Sequence, residues 1–323
     1  MIQNERIVIA GGSGFLGKIL IQHFKDDYDS IVVLTRGRSQ KTSSISYVNW
    51  DAKYIGPWQL ELEGAEALIN LTGRSVDCRY TEKNKKIILN SRLDSTKILG
   101  VAVGLRKSPP KVWINSSTAT IYRHAVNKQM DETTGEIGKG FSVNVAKAWE
   151  EVFFSRKTPN TRKVAIRTSI VLGQQGGALL PLKNLAKIGL GGKQGKGTQK
   201  ISWIHEKDFA RAVAFITANT RISGVLNLAS PDPLTNAQFM AQLRKTLGIP
   251  IGLTLPKGLL ELGAILLGTE TELILKSRNV IPRFLQSHGF TFLFPDIART
   301  LKDLVSAPAS TPIYPCQRSP NSR

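Results

Sequence analysis

The stretch Ile7-Val8-Ile9-Ala10-Gly11-Gly12-Ser13-Gly14-Phe15-Leu16-Gly17 decides the fold. An apolar run of strand length passes straight into a glycine-spaced turn. The turn opens a segment that is apolar at Phe15, Leu16, Ile19, Leu20 and Phe24. Those positions fall on one face at helical spacing, so the unit reads strand, turn, helix. The glycines have separate tasks in such a unit. Gly11 permits the tight turn, Gly14 lets a ligand's phosphates approach the backbone, and Gly17 lets helix and strand pack closely. The first N–H groups of the helix and the positive end of its dipole favour an anion at the turn. This context is the one a dinucleotide fingerprint requires. It nominates Gly11, Ser13, Gly14, Phe15, Leu16 and Gly17 as cofactor contacts.

Outward from the turn, short apolar runs alternate with helical patterns. Ile31–Leu34, Tyr47–Trp50, Ala67–Leu71, Lys111–Asn115 and Lys163–Arg167 read as strands covered on both faces. Between them, Thr81 to Val103 reads as a long helix with Thr81 as N-cap, and Val143 to Phe154 as another. The alternation predicts an α/β protein, a Rossmann-type doubly wound parallel sheet. After about Leu172 the texture shifts to a Gly- and Lys-rich stretch, and beyond Pro231 it is mainly helical. The expected division is a nucleotide-binding domain over 1–172, with 201–230 returning to it. A smaller C-terminal substrate lobe is expected from 173–200 and 231–305, and a disordered Pro/Ser-rich tail over 306–323. The default ligand site is the cleft between domain and lobe.

The end of the second strand bears on the cofactor. NAD-binding sites place Asp or Glu there to hold the ribose 2′-hydroxyl. Here the strand ends Leu34-Thr35-Arg36-Gly37-Arg38, with no carboxylate. Guanidinium groups at this point suit a 2′-phosphate, so NADP(H) is expected over NAD(H), with Thr35 and Arg36 as contacts. Asp51, after the third strand, suits either a contact to the adenine amino group or a turn-capping role. Asn70-Leu71-Thr72-Gly73 ends the next strand, and Leu71, Thr72 and Gly73 are expected to line the cofactor.

Bulk properties exclude other classes. The 323 residues carry 44 Lys and Arg against 24 Asp and Glu, a formal net charge of +20. A polyanion partner is one explanation. The basic residues are scattered, however, and no zinc spacing, stacking-aromatic motif or helix-turn-helix pattern accompanies them, which disfavours nucleic acid. Two cysteines, Cys78 and Cys316, exclude a disulfide framework and fit a reducing, cytoplasmic setting. The polar stretch Met1–Arg6 does not read as a signal peptide. The most apolar late run, Gly258–Gly268, is interrupted by Glu261 and falls short of the ~20 residues of a membrane span. Nothing in the pattern fixes the oligomeric state.

The glycine turn together with Ser91-Arg92, Ser116–Tyr122, Lys147-Ala148-Trp149-Glu150, Ser202–His205 with Asp208, Ser277-Arg278 with Pro282 and Gly289–Phe292 resembles the extended short-chain dehydrogenase/reductase family. The resemblance narrows to its epimerase-like branch, the SulA-homologue group that includes human short-chain dehydrogenase/reductase family 39U. It covers the chain in order to Val305. It implies an oxidoreductase or epimerase of a small carbonyl or sugar-like substrate. The family works with a Ser or Thr and a Tyr-x-x-x-Lys pair, the Tyr acting as general acid and base. On that pattern Thr118 matches the Ser/Thr and Lys147 the Lys, with a further role for Lys147 on the nicotinamide ribose. The residue four before Lys147 is Val143, which has no proton to give. Tyr122 is then the candidate replacement, with His124 and His205 also considered; for His205, a structural bond to neighbouring backbone or to Asp208 is the favoured reading. If none serves, the protein binds NADP(H) without hydride chemistry.

Overall fold

The computed structural model describes residues 5–42, 44–261, 270 and 272–306; the expected tail from 307 onward and most of the Gly258–Gly268 run lie outside them. Its strands are β1 (Arg6–Ala10), β2 (Ser30–Thr35), β3 (Gln40–Lys41), β4 (Ile45–Asn49), β5 (Ala67–Asn70), β6 (Val112–Thr118), β7 (Arg162–Thr168), β8 (Ile170–Leu172), β9 (Lys200–Ile201), β10 (Trp203–His205), β11 (Gly224–Leu228) and β12 (Leu234–Thr235). Its α-helices are α1 (Phe15–Phe24), α2 (Glu82–Gly104), α3 (Phe141–Ser155), α4 (Leu179–Leu185), α5 (Glu206–Ala218), α6 (Asn236–Leu247), α7 (Glu272–Leu275), α8 (Arg283–Ser287) and α9 (Ile297–Ser306).

Eight strands form one sheet in the order β11-β7-β6-β5-β1-β2-β4-β3, parallel throughout except for β3. Alternation within β1 shows why it is central. Ile7 and Ile9 point to one side and pack with Leu20, Ile21 and Phe24 of α1 and Phe209 and Val213 of α5. Val8 and Ala10 point to the other and pack with Leu99 and Val103 of α2 and Phe153 of α3. A strand buried on both faces needs a continuous apolar run, and that is what the sequence supplies. Each such large side chain contributes about 1.5–3 kcal/mol by leaving water.

Strand order reverses between β1 and β5: the chain builds outward through β2 and β4, then returns to the other side of β1. At such a switch point the loops beyond the strand ends part and leave a crevice. The glycine turn after β1 and the Leu71–Gly73 loop after β5 face each other across it. They are close enough that a Cβ on Gly11 would sit 3.0 Å from the Leu71 carbonyl carbon.

The C-terminal part packs a separate core, in which Trp203, Phe239, Met240, Leu243, Leu301 and Leu304 are buried together. Segment 277–281 ties it to the β9–β10 link and the Met130 loop, and Asn227 Nδ2 of β11 donates to Ile281 O at 3.0 Å to fasten it to the sheet. The Ser202 hydroxyl donates to the Arg278 carbonyl at 2.7 Å and accepts from Val280 N–H at 2.7 Å. Met130 N–H donates to Asn279 O at 2.7 Å. No helix among the described residues is long and apolar enough to cross a membrane.

Candidate functional site

The turn after β1 has the geometry its glycines allow. Gly11 sits at φ +78°, a conformation that costs side-chain-bearing residues. A Cβ on Gly17 would lie 2.3 Å from Gly12 Cα, so α1 and the turn that follows β1 are in backbone contact there. Gly14 differs: a Cβ there would meet only Gly11 O, at 3.6 Å. The protein's own packing thus leaves open the space that a ligand phosphate needs. Gly14 is also the N-cap of α1, with no side-chain cap and no acidic residue in the first turn. The positive end of the helix is therefore uncompensated at the crevice. These features fit a dinucleotide pyrophosphate.

The β5 loop opposite is fixed from below. Asn70 Nδ2 donates to Asn115 Oδ1 at 2.7 Å, and Asn70 Oδ1 accepts from Thr72 N–H at 3.0 Å. Trp149 Nε1 and Asn70 Nδ2 share Thr96 Oγ1 as acceptor. The Thr72 hydroxyl is buried with no hydrogen-bond partner, a group that a ribose or phosphate oxygen would satisfy.

At the end of β2, Asn49 Nδ2 donates to the carbonyls of Arg36 and Gly37, and Thr35 Oγ1 accepts from Gly37 N–H. This shapes the turn and leaves Arg36 and Arg38 exposed, neither paired with a carboxylate among the described residues. Asp51 is committed elsewhere. Its Oδ1 accepts from Lys53 N–H at 2.8 Å and Tyr54 N–H at 2.9 Å. The Tyr54 and Lys53 N–H groups hold its carboxyl below the usual range. Of its two sequence readings, turn capping is the one realised in its bonds.

A cavity of about 490 Å³ runs from the glycine turn to the end of β6. Gly11, Gly14, Phe15, Leu16, Gly17, Leu71 and Gly73 line it at one end, Ser116, Ser117 and Thr118 at the other. Ser13 is exposed on the same turn. Behind Thr118 lies a chain of polar contacts. Ser117 Oγ donates to Glu150 Oε1, which pairs with Arg167, and Arg167 Nη1 donates to the Tyr122 phenol oxygen at 2.9 Å.

Of the three residues expected to carry catalysis, Thr118 alone borders the cavity. Tyr122 and Lys147, the other two, are not among the residues that line it. Tyr122 is buried, its hydroxyl engaged by Arg167 and by Asn227 Oδ1 at 3.0 Å, so its phenol is spent inside the core. Lys147 is exposed and outside the cavity lining. Helix geometry gives the reason. Phe141, Ser142, Val145 and Trp149 share the cavity face of α3, and Lys147 sits roughly 200° around the helix from Val145. Val143 packs with Ala119, Ile121 and Met130 in the core. His124 accepts from Ser277 N–H, and His205 bonds to Lys207 N–H and to Asp303, not to Asp208. Asp208 instead accepts from the N–H groups of Leu293 and Phe294.

Two cavity residues were not among the candidate site residues of the sequence. Arg92 stacks over Trp149, with its guanidinium 5.1 Å from the ring centroid, and donates through Nη1 to the carbonyls of Arg74 and Ile88. It has no carboxylate partner among the described residues, and burial lowers its pKa to about 10. Tyr80, on the loop before α2, packs edge-on against Phe141 with centroids 5.0 Å apart.

The NAD dependent epimerase/dehydratase family matches residues 7–229, which span the glycine turn, Thr118 and the strand order just described. The chain belongs to that family. A second match, to a domain of unknown function (DUF1731), covers residues 255–304 in the C-terminal part. Epimerase family protein YfhF of Bacillus subtilis is 31% identical over 304 residues, 93% of this chain and 98% of that one. Among solved structures, human epimerase family protein SDR39U1, crystallised with NADPH, superposes with a TM-score of 0.83 at 27% identity. That match covers 93% of this chain and 99% of the human one. A nucleoside-diphosphate sugar epimerase from Corynebacterium glutamicum gives 0.73 at 26% identity, covering 92% of this chain and 57% of its own. The sequence resemblance to the epimerase-like branch of the extended short-chain dehydrogenases therefore holds, and the protein is an NAD(P)-dependent member of the epimerase family.

Proposed function

We infer that this epimerase-family protein is an NADP(H)-linked oxidoreductase acting on a small carbonyl or sugar-like substrate. The observation that carries the cofactor choice is the end of β2, where Arg36 and Arg38 stand exposed in place of a carboxylate, with no acidic partner among the described residues. A 2′-phosphate there gains charge-assisted hydrogen bonds, where an acid would repel it. The NADPH in the human relative's crystal structure supports the same reading. Gly14 and the bare N-terminus of α1 would hold the pyrophosphate, and Leu71–Gly73 the adjoining ribose. When bound, the nicotinamide supplies or accepts hydride. Thr118, at the far end of the cavity, orients the substrate oxygen. Residues 1–172 and 201–230 form the nucleotide half, and 173–200 and 231–305 shape the substrate side.

A second reading, nucleotide binding without turnover, draws on the cavity face of α3, where Phe141, Ser142, Val145 and Trp149 offer no lysine. Two measurements separate these readings. Fluorescence titration should give NADPH an affinity about 10- to 100-fold above NADH, the worth of one or two charged hydrogen bonds. Arg36→Asp should erase that preference, and equal losses for both nucleotides would refute the NADP(H) assignment. NADPH oxidation with any member of a panel of aldehydes and ketones supports the oxidoreductase; tight binding with no turnover supports the second reading.

A further inference from the structure

Carbonyl reduction needs a proton on oxygen as hydride reaches carbon, and the expected donor positions on α3 are vacant of any acid. Among the described residues lining the cavity there is no His, Lys, Cys, Asp or Glu, and apart from the guanidinium groups of Arg74 and Arg92 the one titratable group among them is the phenol of Tyr80. Its position is built. The ring lies edge-on to Phe141, its backbone N–H donates to Glu270 Oε1 at 2.7 Å, and it lines the cavity together with Ser142 of α3. Ser142 Oγ donates to Glu272 Oε2 at 3.0 Å, tying this wall of the cavity to α7.

We propose that Tyr80, delivered by the loop before α2, is the proton donor of this site. The proposal rests on the oxidoreductase reading above and names its acid. When bound, the reduced nicotinamide would supply a hydride with its electron pair to the carbonyl carbon, and the C=O π pair would move to oxygen. That oxygen would take the Tyr80 proton, leaving alcohol, oxidised cofactor and a tyrosinate that would recover its proton from water. Burial keeps the phenol protonated before the reaction, with Glu272 and Glu270 adding to this and Ser142 opposing it.

The test needs no known substrate. Tyrosinate absorbance is titrated in the full-length protein and in Tyr80→Phe, whose difference isolates Tyr80 among six tyrosines. Titrations are run free, with NADPH and with NADP+. A cationic nicotinamide ring within about 4–6 Å lowers a phenol's midpoint by a unit or more, so the NADP+ curve should lie that far below the NADPH curve. Coincident curves, with both nucleotides shown bound by fluorescence, overturn the Tyr80 assignment and leave the cofactor reading intact. Failure of either nucleotide to bind overturns both. Glu272→Gln provides a second check in a chain that keeps the phenol: it should lower the Tyr80 midpoint, and no movement counts against the geometry. With any carbonyl that is turned over, Tyr80→Phe should cut kcat at least ~100-fold with NADPH affinity unchanged; wild-type kcat overturns the proposal.

Discussion

Glu150 and Arg167 meet in a two-point ion pair, Oε1 to Nε at 2.8 Å and Oε2 to Nη2 at 2.7 Å, directly behind the strand end that carries Thr118. Both side chains are nearly buried, at 12% and 11% exposure. Removing one partner leaves the other charge desolvated and unpaired, a loss of about 3–5 kcal/mol. Glu150→Ala should therefore lower the unfolding free energy measured by urea titration by that amount, and it also frees Ser117 Oγ. The double change Glu150→Leu with Arg167→Met should recover much of the loss. A single mutant as stable as wild type would show that the pair is not buried in solution.

The three fingerprint glycines separate into fold and ligand roles. Gly17→Ala puts a Cβ into the Gly12 backbone, 2.3 Å from Cα and O, with no flexible side chain to give way. It should lower Tm sharply, with or without nucleotide. Gly14 has φ −79° and room for a methyl group. Gly14→Ala should leave Tm within a degree or two and weaken NADPH binding. If Gly14→Ala unfolds the protein instead, packing and not ligand approach explains that glycine.

Much of this was legible in the chain. A strand buried on both faces writes a continuous apolar run, and the turn of β1 into α1 writes its glycines at fixed spacing, so both could be placed to within a residue or two. The site's far wall was not legible. The Trp149-Glu150 pattern drew attention to Lys147, but which face of α3 meets the cavity depends on helix phase, which tertiary packing sets. The i, i+4, i+8 row Phe141, Val145, Trp149 was the available clue. Tyr80 lies in a polar loop, Arg74–Thr81, with no periodicity to mark it, and only the fold brings it to Ser142.

Arg92 has the character of a group retained for a ligand. Its Nε and Nη2 find no partner among the described residues, and burial already lowers its pKa to about 10. An unpaired buried charge costs folding energy that an apolar side chain of similar volume does not. Arg92→Met should accordingly raise Tm while weakening an anionic ligand, measured as NADPH affinity and as protection by inorganic pyrophosphate. A fall in Tm would mean that the carbonyl bonds and the Trp149 stack outweigh the desolvation.

His205 makes the stability depend on acid. Its Nδ1 accepts from Lys207 N–H at 3.0 Å as N-cap of α5, so the ring is the Nε2–H tautomer with that proton facing Asp303 at 3.1 Å. It is fully buried and stacked on Phe294 at 3.8 Å. Burial lowers its pKa from 6.5 to about 4; Asp303 and Asp208 oppose the shift and Lys207 adds to it. Below pH 6.5 the unfolded chain takes up a proton that the folded chain refuses until about pH 4. Stability is therefore intact above 6.5 and falls through that window, by on the order of 3 kcal/mol from this group. His205→Asn keeps an oxygen to cap α5 and removes the titration. The difference in unfolding free energy between wild type and His205→Asn should shrink steadily from pH 7 to pH 4. A difference that stays constant over that range would show that His205 is protonated alike in both states, and would remove the neutral, capping role assigned to it.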